Sequence, residues 1–306
     1  MIKKDVAIIG CGPSGLTCAI YLKRAKVDFI VFESYMIGGK VNLTADIDNY
    51  PPFKHLSGID LSSKYQEDLI HNEIEVNYEE VKSLKKEGDC FLITTNIEEY
   101  CFKSVLICSG TKDKTLNIPG EDKFMHKGIS FCAVCDGNLF KNKPMAVVGG
   151  GNSALEEAIY LSSIASEVYV IHRRNEFRGS KQYLDILKEK KNVKILTPYN
   201  IIECKGDNKL REIVLQSSDK KKTLSIKVEV LFEYIGLIPN TDFIEDKSIL
   251  DESGFVKVNQ NLQTEIEGLF ASGDVTNKKL RQIVIASGDG AFASDGIIEY
   301  LRDKNS

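Results

Sequence analysis

Two glycine-rich turns, each directly after a short apolar run, constrain this chain more than any other feature. The first, residues 10–15 (GCGPSG), follows the run VAII, and the second, residues 149–154 (GGGNSA), follows MAVV. Such glycines let a strand turn tightly into a helix whose N-terminal N–H groups bind a pyrophosphate. Two turns predict two dinucleotide sites. Their expected residues are Gly10, Gly12, Pro13, Ser14 and Gly15 at the first turn, and Gly149, Gly151, Asn152, Ser153 and Ala154 at the second.

Composition narrows the class of protein. The net charge of −4 and the pI near 5.8 argue against a nucleic-acid or anionic-membrane partner. No apolar stretch approaches the roughly 18 residues of a membrane span. The first strand begins too early to leave room for a signal peptide. We therefore expect a cytoplasmic protein, and its 306 residues are enough for two domains of roughly 100–200 residues each.

Strand and helix patterns alternate around both turns, which is typical of parallel α/β sheets. The patterns predict the following elements: strands 5–9, 29–32, 145–148, 168–171 and 226–234, and helices 14–24, 58–72, 153–162 and 180–190. The last helix, ending near Leu301, needs a sheet to pack against, and the first unit is its natural partner. We therefore predict two doubly wound, Rossmann-like nucleotide-binding domains. One is formed by residues 1–114 and 242–306, and the other, residues 115–241, is inserted into it.

An acidic residue follows the first turn at the spacing expected for ribose binding. Glu33 stands 18 positions after Gly15, at the end of the second predicted strand. A carboxylate at this place accepts a hydrogen bond from a ribose 2′-hydroxyl, which suits FAD or NAD. The alternative is a tight turn without a ligand.

Basic residues take the corresponding place after the second turn. His172, Arg173 and Arg174 lie about 20 positions after Ala154, and Arg178 follows one helical turn later. Guanidinium groups at this place attract a 2′-phosphate, so we predict an NADP site rather than an NAD site. The alternative is a solvated basic patch at a strand end.

Cys132 and Cys135 have the spacing of a redox-active pair. Two intervening residues permit a reducible disulfide, and such motifs often lower one thiol pKa. Half a zinc site is the competing interpretation, but no second pair of ligands completes it. Asp136 can donate or accept the proton of a thiol, unless it merely forms an Asp-Gly turn. The other six cysteines are expected to be small buried hydrophobic residues; they are Cys11, Cys18, Cys90, Cys101, Cys108 and Cys204.

The order of these motifs resembles low-molecular-weight bacterial thioredoxin reductases along the whole chain. The box CAVCDG at residues 132–137 carries most of the resemblance, supported by NYP at 49–51, IPG at 118–120, ASGD at 271–274 and RQI at 281–283. The resemblance implies that Cys135 lies against the flavin and that Cys132 attacks the thioredoxin disulfide. It also implies further contacts, to FAD from Gly38, Gly39, Lys40, Asn49, Val81, Gly110, Asp274, Arg281, Gln282 and Ile283, and to NADPH from Gly236.

The implied activity passes electrons from NADPH through FAD and the Cys132–Cys135 dithiol to thioredoxin. A homodimer, with rotation of one domain on the other, is implied as well. Lys40 departs from the glutamine common in the family, and its charge is expected to favour the anionic reduced flavin. Two alternatives stay open: a ferredoxin-dependent flavin thioredoxin reductase, which is expected to lack the NADPH motifs, and a non-catalytic dinucleotide sensor.

Overall fold

The computed structural model describes residues 2–44, 47 and 49–304, with only the backbone at Cys135. The chain divides into two compact units, Met1–Lys112 with Ile238–Ser306, and Asp113–Leu237. The strands are β1 (Ile2–Ile9), β2 (Phe29–Phe32), β3 (Val76–Asn77), β4 (Val81–Glu87), β5 (Cys90–Thr95), β6 (Glu99–Ile107), β7 (Thr111–Asp113), β8 (Ile129–Ser130), β9 (Pro144–Gly149), β10 (Glu167–Ile171), β11 (Val193–Leu196), β12 (Tyr199–Gly206), β13 (Leu210–Ser217), β14 (Thr223–Lys227), β15 (Val230–Tyr234), β16 (Leu237–Pro239) and β17 (Leu269–Ala271). The α-helices are α1 (Pro13–Arg24), α2 (Gly58–His71), α3 (Glu121–Phe124), α4 (Ala133–Asp136), α5 (Asn152–Ser162), α6 (Lys181–Glu189) and α7 (Ile283–Lys304).

The first unit is built on one mixed sheet with strand order β3-β2-β1-β6-β5-β4, and β17 pairs with β6. Strands β1, β2, β3, β6 and β17 are parallel, whereas β4, β5 and β6 form an antiparallel meander. Successive side chains of a strand point to opposite faces. Val6 and Ile8 accordingly pack with α1, α2 and α7, while Ala7 and Ile9 pack with the meander. Burial on both faces explains why residues 6–9 of β1 form a continuous apolar run.

The second unit has a five-stranded parallel sheet with order β11-β10-β9-β15-β8. Met145 and Val147 of β9 pack with α5 and α6 on one face. Ala146 and Val148 pack on the other face with the antiparallel sheet β12-β13-β14. The predicted α/β arrangement around parallel strands is confirmed in each unit, with helices on one face of the sheet and antiparallel strands on the other.

One predicted strand is wrong. Residues 226–234 do not form a single strand, because β14 pairs with β13 whereas β15 pairs with β9 and β8. The chain changes sheets at Val228 and Glu229, whose N–H groups donate to Arg211 O and Pro144 O respectively. The sequence of residues 226–234, IKVEVLFEY, has strand-forming residues on both sides of this point, so it gives no sign of the change.

The cysteine prediction is correct for four residues and wrong for two. Cys11, Cys18, Cys108 and Cys204 are free and buried, as expected. Cys90 and Cys101 instead form a disulfide with a Cα–Cα distance of 5.7 Å. They lie on the adjacent strands β5 and β6 of the meander, where Cys101 is opposite Leu92 and Cys90 is its diagonal neighbour. Both residues are half-buried rather than core residues.

Candidate functional site

The first glycine-rich turn joins β1 to α1 in a conformation that requires glycine. Gly10 has φ 107°, a region that other residues rarely adopt. A Cβ at Gly15 would overlap the carbonyl oxygen of Gly10. The missing side chains let α1 start close to the strand, with Gly12 as its N-cap and Pro13 in its first turn. This end of α1 therefore presents its unpaired N–H groups as an anion site.

The surroundings of this turn fit a dinucleotide. A Cβ at Gly12 would meet nothing closer than Gly38 O at 3.8 Å, so the backbone there is open to a ligand. On the opposite side the helices pack tightly, because a Cβ at Gly290 of α7 would overlap Ser14 O. The hydroxyls of Ser14 and Ser272 share a hydrogen bond of 2.6 Å. The predicted turn residue Ser14 is thus held against the end of β17.

Glu33 lies at the end of β2, where the sequence predicts it. Its Oε2 accepts the N–H of Cys11 at 2.9 Å, and its Oε1 accepts the N–H of Tyr35 at 2.9 Å. The residue is only 9% exposed. A carboxylate has about four acceptor positions, so these bonds leave room for a ribose hydroxyl. Glu33 therefore also shapes the turn itself, a role that the spacing did not reveal.

Two further predicted flavin motifs meet in the first unit. The Nδ2 of Asn49 donates to Oε1 of Gln282 at 2.9 Å, which joins residues that are 233 positions apart. Gly38, with φ 94°, donates its N–H to Cys11 O at 2.8 Å. Lys40 follows in the exposed turn Gly39–Leu43.

The remaining predicted flavin residues also lie in this unit. Val81 begins β4, Ile283 begins α7, and Gly110 has φ 68° with open space at its Cβ position. The segment at Asp274 is fixed by Arg281, whose Nε donates to Asp274 O at 3.3 Å.

An ion pair that sequence reasoning missed supports the same segment. Lys278 pairs with Asp289 of α7, and Oδ2 of Asp289 accepts the N–H of Gly273 at 3.0 Å. Both side chains are less than one-fifth exposed. Burial lowers the pKa of Lys278 to about 8. A lone lysine and a helical aspartate carry no spacing signal, so this pair is visible only in the fold.

The second glycine-rich turn joins β9 to α5. A Cβ at Gly150 would overlap the His172 ring. A Cβ at Gly151, the N-cap of α5, would have no atom within 4 Å. The N–H groups of Arg178 and Gly179 donate to Gly150 O at 2.8 and 3.0 Å. The turn, the ring and the basic loop are therefore packed together on one side, and the helix end is open on the other.

A cavity of about 480 Å³ lies beside this turn. It brings together the predicted residues Gly149, His172, Arg173, Arg174 and Arg178. The pKa of His172 is lowered by burial and by the neighbouring arginines, despite its contact with Glu176 O. The histidine is thus neutral at pH 7, and the three exposed arginines supply the positive charge. The lining residues that the sequence did not predict include Lys114, Leu116, Tyr199, Asn200 and Tyr234.

The other predicted residues of this unit lie close by in the chain. Asn152 begins α5, and its Oδ1 accepts the N–H of Ser180 at 2.7 Å. Ser153 and Ala154 follow in the first turn of α5. Gly236, with φ 129°, accepts the N–H of Lys114 at 2.9 Å through its carbonyl oxygen.

The cysteine motif surrounds the short helix α4. Cys132 is disulfide-bonded, while the side chain of Cys135 lies outside the described part of the chain. The N–H of Cys132 donates to Ser130 Oγ at 3.1 Å, and that hydroxyl donates to Asp136 Oδ2 at 2.6 Å. The carboxylate of Asp136 is thus linked through one hydroxyl to the backbone of Cys132. Its role in proton transfer stays a prediction.

Tyr234 is the residue near this motif that sequence reasoning missed. Its hydroxyl oxygen accepts the N–H of Ala133, between the two cysteines, at 2.7 Å. Over residues 2–44, 47 and 49–304, no group of three His, Cys, Asp or Glu side chains is arranged to hold a metal. No helix within those ranges combines the length and apolar character of a membrane span.

The sequence of the chain matches a known protein family over most of its length. The model of the pyridine nucleotide-disulphide oxidoreductases matches residues 4–290. The chain belongs to the pyridine nucleotide-disulphide oxidoreductase family. Membership of this family implies a flavin and a pyridine nucleotide, and the two open glycine-rich turns fit that pair.

Individual relatives of the pyridine nucleotide-disulphide oxidoreductase family agree with the resemblance. Thioredoxin reductase of Mycoplasma pneumoniae is 40% identical over 291 residues, covering 94% of this chain and 92% of that protein. A structure of thioredoxin reductase from Streptococcus pyogenes matches with TM-score 0.84 and 36% identity, covering 98% of this chain and 99% of that one. A ferredoxin-flavin thioredoxin reductase from Clostridium acetobutylicum matches with TM-score 0.55 and 30% identity, covering 99% of each chain. The predicted resemblance to bacterial thioredoxin reductases is confirmed.

Proposed function

We propose that this protein is a thioredoxin-disulfide reductase that uses FAD and NADPH. The observation that carries the proposal is found within the second unit. A cavity with three arginines beside a glycine-rich turn lies in the same unit as the disulfide-bonded Cys132. A non-catalytic dinucleotide sensor has no use for a reducible disulfide next to an acid.

We assign FAD to the first unit and NADPH to the second. The N–H groups at the start of α1, with Glu33 at the ribose, suit the adenosine diphosphate part of FAD. Arg173, Arg174 and Arg178 suit the 2′-phosphate of NADPH, because guanidinium groups bind phosphate through charge-assisted, often bidentate hydrogen bonds. A bound flavin would supply the two-electron chemistry that links hydride transfer from the nicotinamide to reduction of the disulfide.

The thiol chemistry then belongs to residues of this chain. The thiolate of Cys132 attacks one sulfur of the thioredoxin disulfide, forming a mixed disulfide and releasing a thiolate on thioredoxin. The thiol of Cys135 is expected to displace thioredoxin, which restores the Cys132–Cys135 disulfide. Asp136, linked to Cys132 through Ser130, holds the proton that the attacking thiol loses.

Electron supply separates this proposal from the ferredoxin-dependent alternative. A reductase fed by ferredoxin needs no site for a 2′-phosphate, so nothing would retain three arginines around a cavity at the second turn. The cavity therefore favours NADPH. The homodimer, the cytoplasmic location and the effect of Lys40 on the flavin remain predictions.

The test is NADPH-dependent reduction of thioredoxin by purified variants. Cys132→Ser and Cys135→Ser should each abolish turnover, yet retain FAD and its reduction by NADPH. The matched control is the double variant Cys90→Ser with Cys101→Ser, which removes the other disulfide and should retain turnover. Ordinary turnover in either single variant, or its loss only in the double variant, contradicts the proposal.

A further inference from the structure

The second glycine-rich turn lies between two neighbouring strand ends of its sheet. Strand β9, which leads into the turn, pairs in parallel with β10 on one side and with β15 on the other. The carboxyl ends of the three strands therefore meet at one edge, where Gly149 is opposite Tyr234. Nucleotides bind to open α/β sheets outside the carboxyl ends of the strands, with the pyrophosphate at the glycine-rich turn. One half of a bound dinucleotide then lies beyond β10, and the other half lies beyond β15.

The three arginines of the cavity lie on the β10 side of the turn. Arg173 and Arg174 follow shortly after the end of β10. Arg178 donates its backbone N–H to Gly150 O at 2.8 Å, which holds the arginine beside the turn. The proposed function assigns these residues to the 2′-phosphate, which belongs to the adenosine half of NADPH. The nicotinamide half therefore extends toward the end of β15.

Lys114 lies on the β15 side of the turn. Its backbone N–H donates at 2.9 Å to the carbonyl oxygen of Gly236, just after the end of β15. Its side chain extends over the same glycine, since a Cβ at Gly236 would lie 3.3 Å from Cδ and 4.0 Å from Nζ of Lys114. The missing side chain of Gly236 thus leaves space for the lysine beside the strand end.

The ammonium group of Lys114 is available to a ligand. The lysine is exposed, and it lines the same cavity as the three arginines. Within the described part of the chain, its ammonium group has no hydrogen-bond or ion-pair partner. Lysine ammonium groups commonly bind phosphate as point charges. The cavity therefore has cationic side chains on both sides of the glycine-rich turn.

We propose that Lys114 binds the pyrophosphate of the coenzyme, at the phosphate that carries the nicotinamide ribose. The arginines contact the 2′-phosphate, which distinguishes NADPH from NADH, whereas Lys114 contacts a phosphate that both coenzymes share. Lys114 thus contributes to the affinity for the coenzyme and not to the choice between the two. The inference rests on the proposed function in taking NADPH as the nucleotide that binds at the second turn.

The experiment compares three nucleotides that all carry the 2′-phosphate. NADP⁺ and 2′-phospho-ADP have both phosphates of the pyrophosphate, whereas adenosine 2′,5′-bisphosphate has only the phosphate on the adenosine side. Isothermal titration calorimetry on the purified, oxidised full chain gives the three dissociation constants. The variants are Lys114→Gln, Lys114→Arg and Arg174→Gln. Lys191→Gln is the matched control, because Lys191 is exposed in the same unit and does not line the cavity.

Lys114→Gln should weaken the binding of NADP⁺ and of 2′-phospho-ADP about tenfold, in line with the loss of one charged hydrogen bond. Its affinity for adenosine 2′,5′-bisphosphate should be unchanged, because that nucleotide lacks the phosphate that Lys114 contacts. Arg174→Gln should weaken all three, since each carries the 2′-phosphate. Lys114→Arg should retain most of the affinity for NADP⁺, and Lys191→Gln all of it.

Two results with Lys114→Gln overturn the proposal. One is an unchanged affinity for NADP⁺, and the other is an equal loss for all three nucleotides, which would show a general effect of charge rather than a contact. If Arg174→Gln weakens binding while Lys114→Gln does not, the inference fails and the proposed function stands. Failure of the wild type to bind NADP⁺ overturns both.

Discussion

The carboxylate of Glu33 accepts the backbone N–H of Cys11 at 2.9 Å, which fastens the end of β2 to the first glycine-rich turn. A second backbone N–H, that of Tyr35, is held by the other oxygen. The acid expected to bind a ribose therefore also builds the turn that would bind the pyrophosphate.

Glu33→Ala should accordingly weaken both stability and flavin binding. Leaving a buried N–H unpaired costs about 1–3 kcal/mol, so we expect a loss of about 2 kcal/mol in unfolding free energy of the apoprotein. FAD affinity should fall at least about tenfold, because the ribose loses its hydrogen bond to the charged carboxylate of Glu33. Denaturant unfolding and fluorescence titration with FAD measure the two effects. Glu67→Ala, on the exposed side of α2, is the control, and an equal effect of both changes would contradict the assignment.

Lys278→Met should weaken flavin binding without removing any residue predicted to contact the flavin. Lys278 orients Asp289, and Asp289 holds the N–H of Gly273 next to the predicted flavin residue Asp274. We expect FAD affinity to fall roughly tenfold, in line with a charged hydrogen bond of about 1.5–3 kcal/mol. Lys278→Arg should retain most of the affinity, and the exposed Lys279→Met all of it. Equal affinities in Lys278→Met and Lys279→Met would show that the ion pair does not support the site.

Replacing Arg173, Arg174 and Arg178 with neutral residues should remove the preference for NADPH over NADH. Each charged contact to a 2′-phosphate is worth roughly 1.5–3 kcal/mol, so the KM for NADPH should rise tenfold or more per contact. The KM for NADH should change little, because NADH lacks that phosphate. Steady-state kinetics with both nucleotides measure the change, with Arg211→Gln as a control because Arg211 pairs with Glu229 instead. An unchanged NADPH/NADH ratio in the triple variant would reduce these arginines to a solvated surface.

Glu233 should make the stability of the protein fall as the pH rises. The residue is 3% exposed, and burial together with Glu121 raises the pKa of Glu233 from 4.5 to about 9. The two oxygens of Glu121 accept the backbone N–H groups of Leu116 and Ile118. The folded state thus retains a proton that the unfolded state loses above about pH 4.5. The stabilisation is fully present below that pH and is lost progressively up to about pH 9.

Glu233→Leu should remove this pH dependence. Relative to the variant, the wild type should lose about 2 kcal/mol of unfolding free energy between pH 6 and pH 8, since one proton contributes roughly 1.4 kcal/mol per pH unit at most. Denaturant titrations at the two pH values give the difference, with Glu189→Gln as a reference of wild-type behaviour. Parallel stability curves for wild type and Glu233→Leu would show that Glu233 does not titrate in this way.

Sequence spacing correctly predicted the site residues that are placed by the helix and strand directly after each glycine-rich turn. The spacing from Gly15 to Glu33, and from Ala154 to Arg173, follows from one helix and one strand, so both residues lie at the predicted strand ends. Tyr234 and the pair of Lys278 and Asp289 gain their roles from neighbours distant in sequence. No periodicity or spacing marks such contacts.

The two failures have the same physical origin. Whether Cys90 meets Cys101 depends on the register of β5 on β6, which the sequence does not state. The break at Val228 depends on which sheet each half of residues 226–234 joins. Both are decided by strand pairing, and strand pairing is tertiary structure.

In the proposed reaction, electrons from NADPH reach the flavin and then the disulfide of Cys132. The most direct measurement is an anaerobic titration of the flavin absorbance with NADPH, in the wild type and in Cys132→Ser. The flavin and the disulfide each accept two electrons. The wild type should therefore need about two equivalents of NADPH per flavin for complete bleaching, and Cys132→Ser about one. The same single equivalent in both proteins, or no bleaching by NADPH at all, would contradict the account.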